Sequence, residues 1–98
     1  MGRKENKIER RLADGVKALG GMTFKFISPG AAGVPDRVVI LPGGTVHFVE
    51  LKSDGGTASK LQQRMIQKLR RLDVTAVVLT GRNEVEHYLD NLRELMNE

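Results

Sequence analysis

The sequence places an acidic and a basic residue side by side on one predicted strand. Glu50 and Lys52 are separated by one residue near the end of the segment 45–52, which is otherwise mostly apolar. Because side chains at positions i and i+2 of a strand point to the same face, Glu50 and Lys52 should share a face. A buried charge is costly unless it is paired or bound to a metal. Taken alone, the pattern also fits a simple ion pair at a sheet edge.

A second carboxylate should meet the first from a neighbouring strand. Asp36 follows a segment rich in Gly and Pro and opens a predicted strand over 36–41. The Pro-Gly-Gly turn at 42–44 predicts an antiparallel hairpin with the strand 45–52, and counting outward from it places Asp36 opposite Glu50. Two close carboxylates repel unless one is protonated or a cation lies between them, and such oxygen ligands suit Mg²⁺ or Mn²⁺. The alternative for Asp36 is a capping role at the start of its strand.

Polar residues also fall on the apolar faces of two predicted helices. On the helix 58–72, Gln62 lies within the arc of apolar side chains, and a core-facing amide needs hydrogen-bond partners. On the helix 4–19, Glu9 lies at the edge of the apolar face and Glu5 lies within it. We expect Glu9 to face the site, because helices fray close to the chain start. A buried structural amide and an ordinary surface glutamate are the alternatives.

Basic residues form a separate stripe on the opposite flank of the helix 58–72. Its members are Lys60, Arg64, Lys68 and Arg71. Such a stripe could follow a phosphate backbone, or it could be the solvated face of the helix.

The elements that must position these residues follow from hydrophobic periodicity. We predict helices over 4–19 and 58–72, and strands over 22–28, 36–41, 45–52 and 75–80. A third helix should run to about Met96, with Asn83 as its cap and Glu86 at the capping-box position.

The predicted order is α-β-β-β-α-β-α, an α/β fold in which helices flank a mixed sheet. The step from 45–52 to 75–80 should be a parallel crossover. The continuous apolar run at 75–80 predicts a central strand that is covered on both faces.

Composition narrows the possible functions. The 98 residues carry 16 Lys+Arg against 12 Asp+Glu, a net charge of +4 that suits an anionic partner such as nucleic acid. We expect a single domain over 1–98, without a secretory leader or membrane helix. The absence of cysteine excludes disulfides, thiol catalysis and thiolate zinc sites. The Gly55-Gly56 loop lacks the Gly-Lys-Ser/Thr of a phosphate loop, so we expect no nucleotide cofactor.

The ordered set of motifs is more specific than any single motif. Along the chain it reads Glu9, Gly33-Val34-Pro35-Asp36, Val49-Glu50-Leu51-Lys52, and Ser59-x-x-Gln62. This set resembles the PD-(D/E)xK nuclease superfamily and, within it, the small stand-alone phage-type form of the VRR-NUC (virus-type replication-repair nuclease) domain. The resemblance covers most of the chain and implies a restriction-endonuclease-like core.

The resemblance implies a metal-dependent nuclease that acts on DNA, with a role for each matching residue. Asp36, Glu50 and the backbone carbonyl of Leu51 would bind Mg²⁺ or Mn²⁺. Lys52 would orient or activate the attacking water. Gln62 would hold Lys52 or the site geometry.

The implied role of Glu9 is that of an outer or second-metal carboxylate. The basic residues Lys60, Arg64 and Lys68 would contact nucleic acid. Related junction resolvases are dimers, so we expect a homodimer acting on four-way (Holliday) junctions or branched DNA, in a bacterial host cytoplasm if the chain is phage-encoded. We expect the apolar residues of the third helix to contribute to the dimer interface: Val85, Tyr88, Leu89, Leu92 and Leu95.

Three other functions remain open from the residues. The chain could be a nicking, flap or restriction-type nuclease of the same superfamily. It could be a non-catalytic basic DNA-binding module whose carboxylates are structural. It could also be an interaction protein without affinity for nucleic acid.

Overall fold

Seven elements make up the computed structural model, which describes the backbone of residues 3–97 and the side chains of residues 6–97. In chain order they are α1 (Arg3–Ala18), β1 (Met22–Lys25), β2 (Arg37–Leu41), β3 (Thr45–Lys52), α2 (Lys60–Arg71), β4 (Thr75–Thr80) and α3 (Gly81–Met96). The predicted order α-β-β-β-α-β-α is confirmed. The sheet order is β1-β2-β3-β4, with β1–β2 and β2–β3 antiparallel and β3–β4 parallel, so the sheet is mixed as expected.

The main core lies between one face of the sheet and the helices α1 and α3. On α1 the buried residues Ile8, Leu12 and Val16 recur at helical spacing, as the periodicity predicts. They pack with alternating residues of β2 and β3, among them Val39 and Val49, which are fully buried. The helix ends where Gly21 donates its N–H to the carbonyl of Val16. This core fixes the strands that carry the candidate site residues.

The strand β4 is an edge strand, so the prediction of a central position is wrong. It pairs only with β3 in the described part of the chain, although α2 and α3 cover its two faces as expected. A continuous apolar run indicates that both faces of a strand are covered. It does not indicate whether the strand pairs with one neighbouring strand or with two. The interior positions of the sheet belong to β2 and β3.

The start of α3 also differs from the prediction. The helix begins at Gly81, directly after β4, and the backbone N–H of Thr80 donates to Oε1 of Glu84 at 2.9 Å. Asn83 is therefore inside the helix. Glu86 lies one turn too late to reach the cap, and its carboxylate instead accepts hydrogen bonds from Arg11 on α1.

Most apolar residues of α3 are unavailable for a dimer interface, contrary to the prediction. Val85, Tyr88, Leu89 and Leu92 are buried in the chain's own core, while Leu95 stays 62% exposed. The reason is that α3 packs against both the sheet and α1, so its apolar stripe is already buried within the chain.

The helix α2 covers only part of the second sheet face. It packs against β4, and Ile66 is its buried residue, whereas Leu61 and Leu72 are 50% and 75% exposed. Part of this face is left exposed, at Met22 and Phe24 on β1 and at Val46 on β3, whereas Val38 on β2 is only 6% exposed. No helix in the described residues has the length and apolar character that crossing a membrane requires.

A buried His–Tyr pair makes the stability of the fold depend on pH. Nδ1 of His47 lies 2.8 Å from the hydroxyl of Tyr88, and burial lowers the pKa of His47. The unfolded chain therefore binds more protons than the folded one below about pH 6.5, so the free energy of unfolding should fall as the pH falls through that value. Urea unfolding across this range should show the loss, and it should be smaller in His47→Gln. The matched control is His87→Gln, which replaces an exposed histidine outside the core and should reduce the loss less than His47→Gln does.

Candidate active site

Two carboxylates meet at one end of the two interior strands. The pair Arg37–Val49 is in register between β2 and β3, so the next residues outward, Asp36 and Glu50, lie opposite each other as predicted. Glu50 is only 4% exposed. The backbone N–H of Leu51 donates to Oδ1 of Asp36 at 3.3 Å and ties the two strand ends together. The Glu50–Lys52 pair therefore lies on an interior strand, which removes the simple sheet-edge ion pair as an explanation.

The two oxygens of Glu50 have different surroundings. Oε2 lies 3.4 Å from Nζ of Lys52 and accepts a hydrogen bond from Nε2 of Gln62 at 3.2 Å. Oε1 is buried and has no hydrogen-bond partner among the described residues. A buried carboxylate oxygen without a donor is unfavourable, so it marks a position where a cation or water belongs.

The amide of Gln62 is oriented by the cap of α2. Its Oε1 accepts the backbone N–H of Ser59 at 2.9 Å, while the Ser59 hydroxyl accepts the backbone N–H of Gln62 at 3.1 Å. This reciprocal pair is a capping box, and it leaves the NH₂ end of Gln62 directed at Glu50. The Ser-x-x-Gln motif thus starts the helix and positions a donor at the carboxylate. Sequence analysis found the motif but not its capping role, although the spacing is that of a capping box.

A Gln62→Glu variant separates these two roles of the side chain. The new carboxylate can still accept the Ser59 N–H, but it cannot donate to Glu50 and it adds a negative charge there. Losing a hydrogen bond to a charged group costs about 1.5–3 kcal/mol, so we expect the DNA cleavage that the motif resemblance implies to slow by about ten- to a hundredfold, with little loss of helix stability. Steady-state cleavage and thermal unfolding measure the two effects. Gln63→Glu is the matched control, and equal rates in both variants would contradict the positioning role.

The electrostatics favour a cation between the two carboxylates. Burial raises the pKa of Asp36, opposed mainly by the Leu51 N–H and the charge of Arg37. Burial, followed by the charge of Asp36, raises the pKa of Glu50, and Lys52 opposes this. Both shifts mean that the protein alone supplies too little positive charge and too few hydrogen-bond donors to balance the two ionised carboxylates. A divalent ion would supply the missing charge.

The donor set fits a hard divalent metal. No group of three or more His, Asp or Glu side chains converges within the described residues. The site therefore offers two carboxylates, Asp36 and Glu50, while the backbone carbonyl of Leu51 as a further ligand stays a prediction. Mg²⁺ is commonly held by one or two carboxylates and keeps several waters, so this set is sufficient.

Glu9 is placed differently from the other predicted site residues. Its Oε2 lies 2.7 Å from Nη2 of Arg37, in an ion pair whose side chains are 17% and 10% exposed. The charge of Glu9 is close enough to contribute to the raised pKa of Asp36. Its role as a metal ligand stays a prediction. The side chain of Glu5 lies outside the described residues.

Arg37 was missed by sequence analysis. It is the first residue of β2, and alternation puts it on the face opposite Asp36, together with Val39 and Leu41. The sequence did contain a signal for Arg37, because this charged residue alternates with the apolar residues Val39 and Leu41 on one face of its strand. That signal indicates that Arg37 needs a partner but does not identify Glu9.

Comparison with known proteins identifies the family. The VRR-NUC domain family matches residues 5–83 of the chain. The chain belongs to the VRR-NUC family. It is thus a member of a family of nuclease domains, as the motif set predicted.

Similar proteins agree with this assignment. A protein named "Putative nuclease p44", from Acyrthosiphon pisum secondary endosymbiont phage 1, is 40% identical over 80 residues, which is 82% of this chain and 86% of that protein. A solved structure named "VRR_NUC domain" aligns with a TM-score of 0.79 and 30% identity, covering 95% of this chain and 97% of that one. Another, "VRR_NUC domain protein", has a TM-score of 0.66 at 16% identity, covers 96% of this chain and 88% of that one, and shows the fold alone.

The loop before Asp36 in this VRR-NUC domain packs on the first turn of α2. Gly33 has φ +81°, and a Cβ added there would lie 2.9 Å from the carbonyl oxygen of Leu61. We expect Gly33→Ala to destabilise the fold by about 1–2 kcal/mol from backbone strain, and the clash to displace Asp36 and slow cleavage. Thermal unfolding and cleavage rates test this. Gly30→Ala is the control, because an added Cβ there has no neighbouring atom within 4 Å and the φ of Gly30 lies outside the left-handed region. This variant should match wild type in both stability and cleavage rate.

The predicted basic stripe is exposed and begins beside the site. Lys60, Arg64, Lys68 and Arg71 line a surface groove of about 480 Å³ along α2, together with Gln63 and Gln67. From Lys60 to Arg71 the helix rises about 17 Å. Because the first turn of α2 carries Gln62, the stripe leads away from Glu50 along the helix. The helix sequence contains no acidic residue, so the charged residues of the groove are all basic.

Proposed function

We propose that this VRR-NUC domain hydrolyses phosphodiester bonds in DNA with the help of Mg²⁺ or Mn²⁺. The observation that carries the proposal is the convergence of Asp36 and Glu50 with Lys52 on two interior strands, one carboxylate oxygen being buried without a donor. A structural ion pair needs only one carboxylate and would not leave that oxygen unsatisfied. Rigid strands suit a catalytic site because they hold side chains more accurately than loops do.

In the proposed mechanism each residue has a distinct task. Asp36, Glu50 and the carbonyl of Leu51 would hold the ion. When bound, the metal lowers the pKa of its water and polarises the phosphoryl oxygen. The Lys52 ammonium adds fixed positive charge where negative charge develops in the transition state. Gln62 fixes Oε2 of Glu50 and thereby the direction of Oε1.

We further propose a homodimer that acts on four-way junctions or other branched DNA. A two-fold dimer provides two sites for cutting two strands. The exposed part of the second sheet face supports an interface between copies, because it carries apolar residues on the face that also holds Asp36 and Glu50. These residues are Met22 (58% exposed), Phe24 (45%), Val46 (43%) and, on the adjoining α2, Leu61 (50%). A monomer in light scattering at micromolar concentration would refute the dimer.

The second candidate function is a DNA-binding module without catalysis, and the basic groove along α2 favours it. That function requires DNA affinity that is indifferent to metal and to Glu50→Gln. The phage relative supports action in the cytoplasm of a bacterial host, which forms part of the proposal.

The deciding experiment compares a labelled four-way junction, a flap, a duplex and single-stranded DNA, each with EDTA, Mg²⁺ or Mn²⁺. Cleavage that requires both the metal and Glu50 would establish the nuclease, and the preferred DNA would identify the subclass. A preference for flaps or for nicking duplexes would instead indicate a flap or nicking nuclease of the same superfamily. Metal-independent binding without cutting would favour the DNA-binding module, and DNA affinity that does not depend on salt would argue against both.

A further inference from the structure

Arg37 is a buried guanidinium whose hydrogen-bonding capacity is largely unused. The residue is 8% exposed, and its Nε is buried without a hydrogen-bond partner among the described residues. Its ion pair joins one terminal nitrogen to one oxygen of Glu9. An arginine has five N–H donors in a planar fork, which matches two oxygens of a phosphate or carboxylate. The pair with Glu9 thus leaves N–H donors of Arg37 without an acceptor among the described residues.

A second cation lies directly beside Arg37 in the sheet. Lys25 is directly opposite Arg37 in the β1–β2 register, and like charges at paired positions destabilise a sheet. An open surface depression of about 520 Å³ lies next to Arg37 and is lined by Asn6, Glu9, Arg10, Ala13, Asp14 and Arg37. The carboxylates Glu9, Asp14 and the adjacent Asp36 equal the cations Lys25, Arg37 and Arg10 in number, so the unfavourable contact is the local one between Lys25 and Arg37. An additional anion would relieve the repulsion between Lys25 and Arg37.

This cluster lies at the same end of the sheet as the candidate active site. Lys25 ends β1, Arg37 begins β2 and Lys52 ends β3. Asp36 and Arg37 are consecutive residues whose side chains point to opposite faces. A nucleic acid strand that is bound across Asp36 and Glu50 and continues around this end of the sheet would bring a neighbouring phosphate towards Lys25 and Arg37.

We propose that Arg37 and Lys25 form a subsite for a backbone phosphate next to the scissile one, and that Glu9 occupies Arg37 when no nucleic acid is bound. The proposal rests on the proposed function, since it assigns a further contact to the same substrate. Phosphate binding to Arg37 competes with Glu9 and releases its carboxylate next to Asp36. Glu9 then has two states, one paired with Arg37 and one free at the edge of the site.

The test measures DNA affinity and stability in variants of the two partners. In a Glu50→Gln background, a labelled duplex and a junction are titrated at several salt concentrations without cleavage. Arg37→Met should weaken binding and reduce the salt slope by about one unit, as the loss of one phosphate contact requires. Glu9→Gln should strengthen binding, because Arg37 is then free. Both variants should lower the melting temperature, since both break the same ion pair.

Matched variants distinguish the subsite from general electrostatics. Arg93→Met removes an exposed cation that pairs with Asp90 at the far end of α3, and it should change DNA affinity less than Arg37→Met does. Asp14→Asn removes another carboxylate of the same depression, and it should strengthen binding less than Glu9→Gln does. If Arg37→Met fails to fold, Lys25→Met tests the same subsite from an exposed position and should also weaken binding.

Two results would overturn the subsite. Arg37→Met and Glu9→Gln could both lower the melting temperature and leave DNA affinity at the level of their controls, which would make the pair purely structural. Alternatively, Glu9→Gln could weaken binding. These outcomes are separate from the proposed function, because metal-dependent cleavage by the unmodified chain is measured independently and its absence would refute that function alone.

Discussion

Cleavage by Glu50→Gln is expected to be about a thousandfold or more below that of the unmodified chain, at any Mg²⁺ or Mn²⁺ concentration. The metal contributes several kcal/mol of transition-state stabilisation, and about 4 kcal/mol corresponds to a thousandfold in rate. Gln has the shape of Glu and can still accept a hydrogen bond from Gln62, so the fold should be retained. Burial and the charge of Asp36 raise the pKa of Glu50, which means that its ionised form is unfavourable in the folded state. The neutral variant should therefore be at least as stable as wild type near neutral pH.

Thermal unfolding with Mn²⁺ provides the companion measurement. A ligand that binds only the folded state raises its stability by mass action, so metal should stabilise wild type and have little effect on Glu50→Gln or Asp36→Asn. The exposed Glu94 supplies a matched control, since Glu94→Gln should respond to metal like wild type. Normal cleavage by Glu50→Gln, or equal stabilisation of all four proteins by metal, would show that these carboxylates do not bind the metal.

The convergence of Asp36 and Glu50 was predictable because it depends on local rules. The turn at 42–44 fixes the antiparallel register, and strand alternation fixes the face of each residue. Ion pairing of Lys52 with Glu50 follows from the same alternation. Each of these inferences spans fewer than about 20 residues, within which hairpin geometry leaves few alternatives.

The remaining features depend on contacts between segments that are distant in sequence. The helical angle of Gln62 indicated that it turns inward, and its Ser59 partner lies in the local capping box, but its contact with Glu50 depends on where α2 docks. The pairing of Arg37 with Glu9 depends on how α1 crosses the sheet. The edge position of β4 was missed because the hydrophobicity of a strand indicates whether its faces are covered, but not how many strands pair with it.

Lys52→Ala should lower the cleavage rate without removing the metal, which makes it the complement of Glu50→Gln. The Lys52 ammonium lies 3.4 Å from Oε2 of Glu50 and is not among the proposed metal ligands. Losing one preorganised positive group at a site of developing negative charge costs about a hundred- to a thousandfold in rate. Because Asp36 and Glu50 remain, thermal stabilisation by Mn²⁺ should persist in the variant.

The kinetic constants distinguish this role from simple attraction of DNA. If Lys52 acts in the transition state, kcat and kcat/KM should fall together, whereas loss of a distant phosphate contact raises KM and leaves kcat unchanged. Lys68→Ala, in the basic groove of α2, should show the second pattern, and Lys17→Ala on α1 should change neither constant. Lys52→Arg should be more active than Lys52→Ala but less active than wild type, because the planar guanidinium of arginine cannot reproduce a compact ammonium. A Lys52→Ala protein that no longer responds to metal, or whose defect lies wholly in KM, would contradict the assigned role.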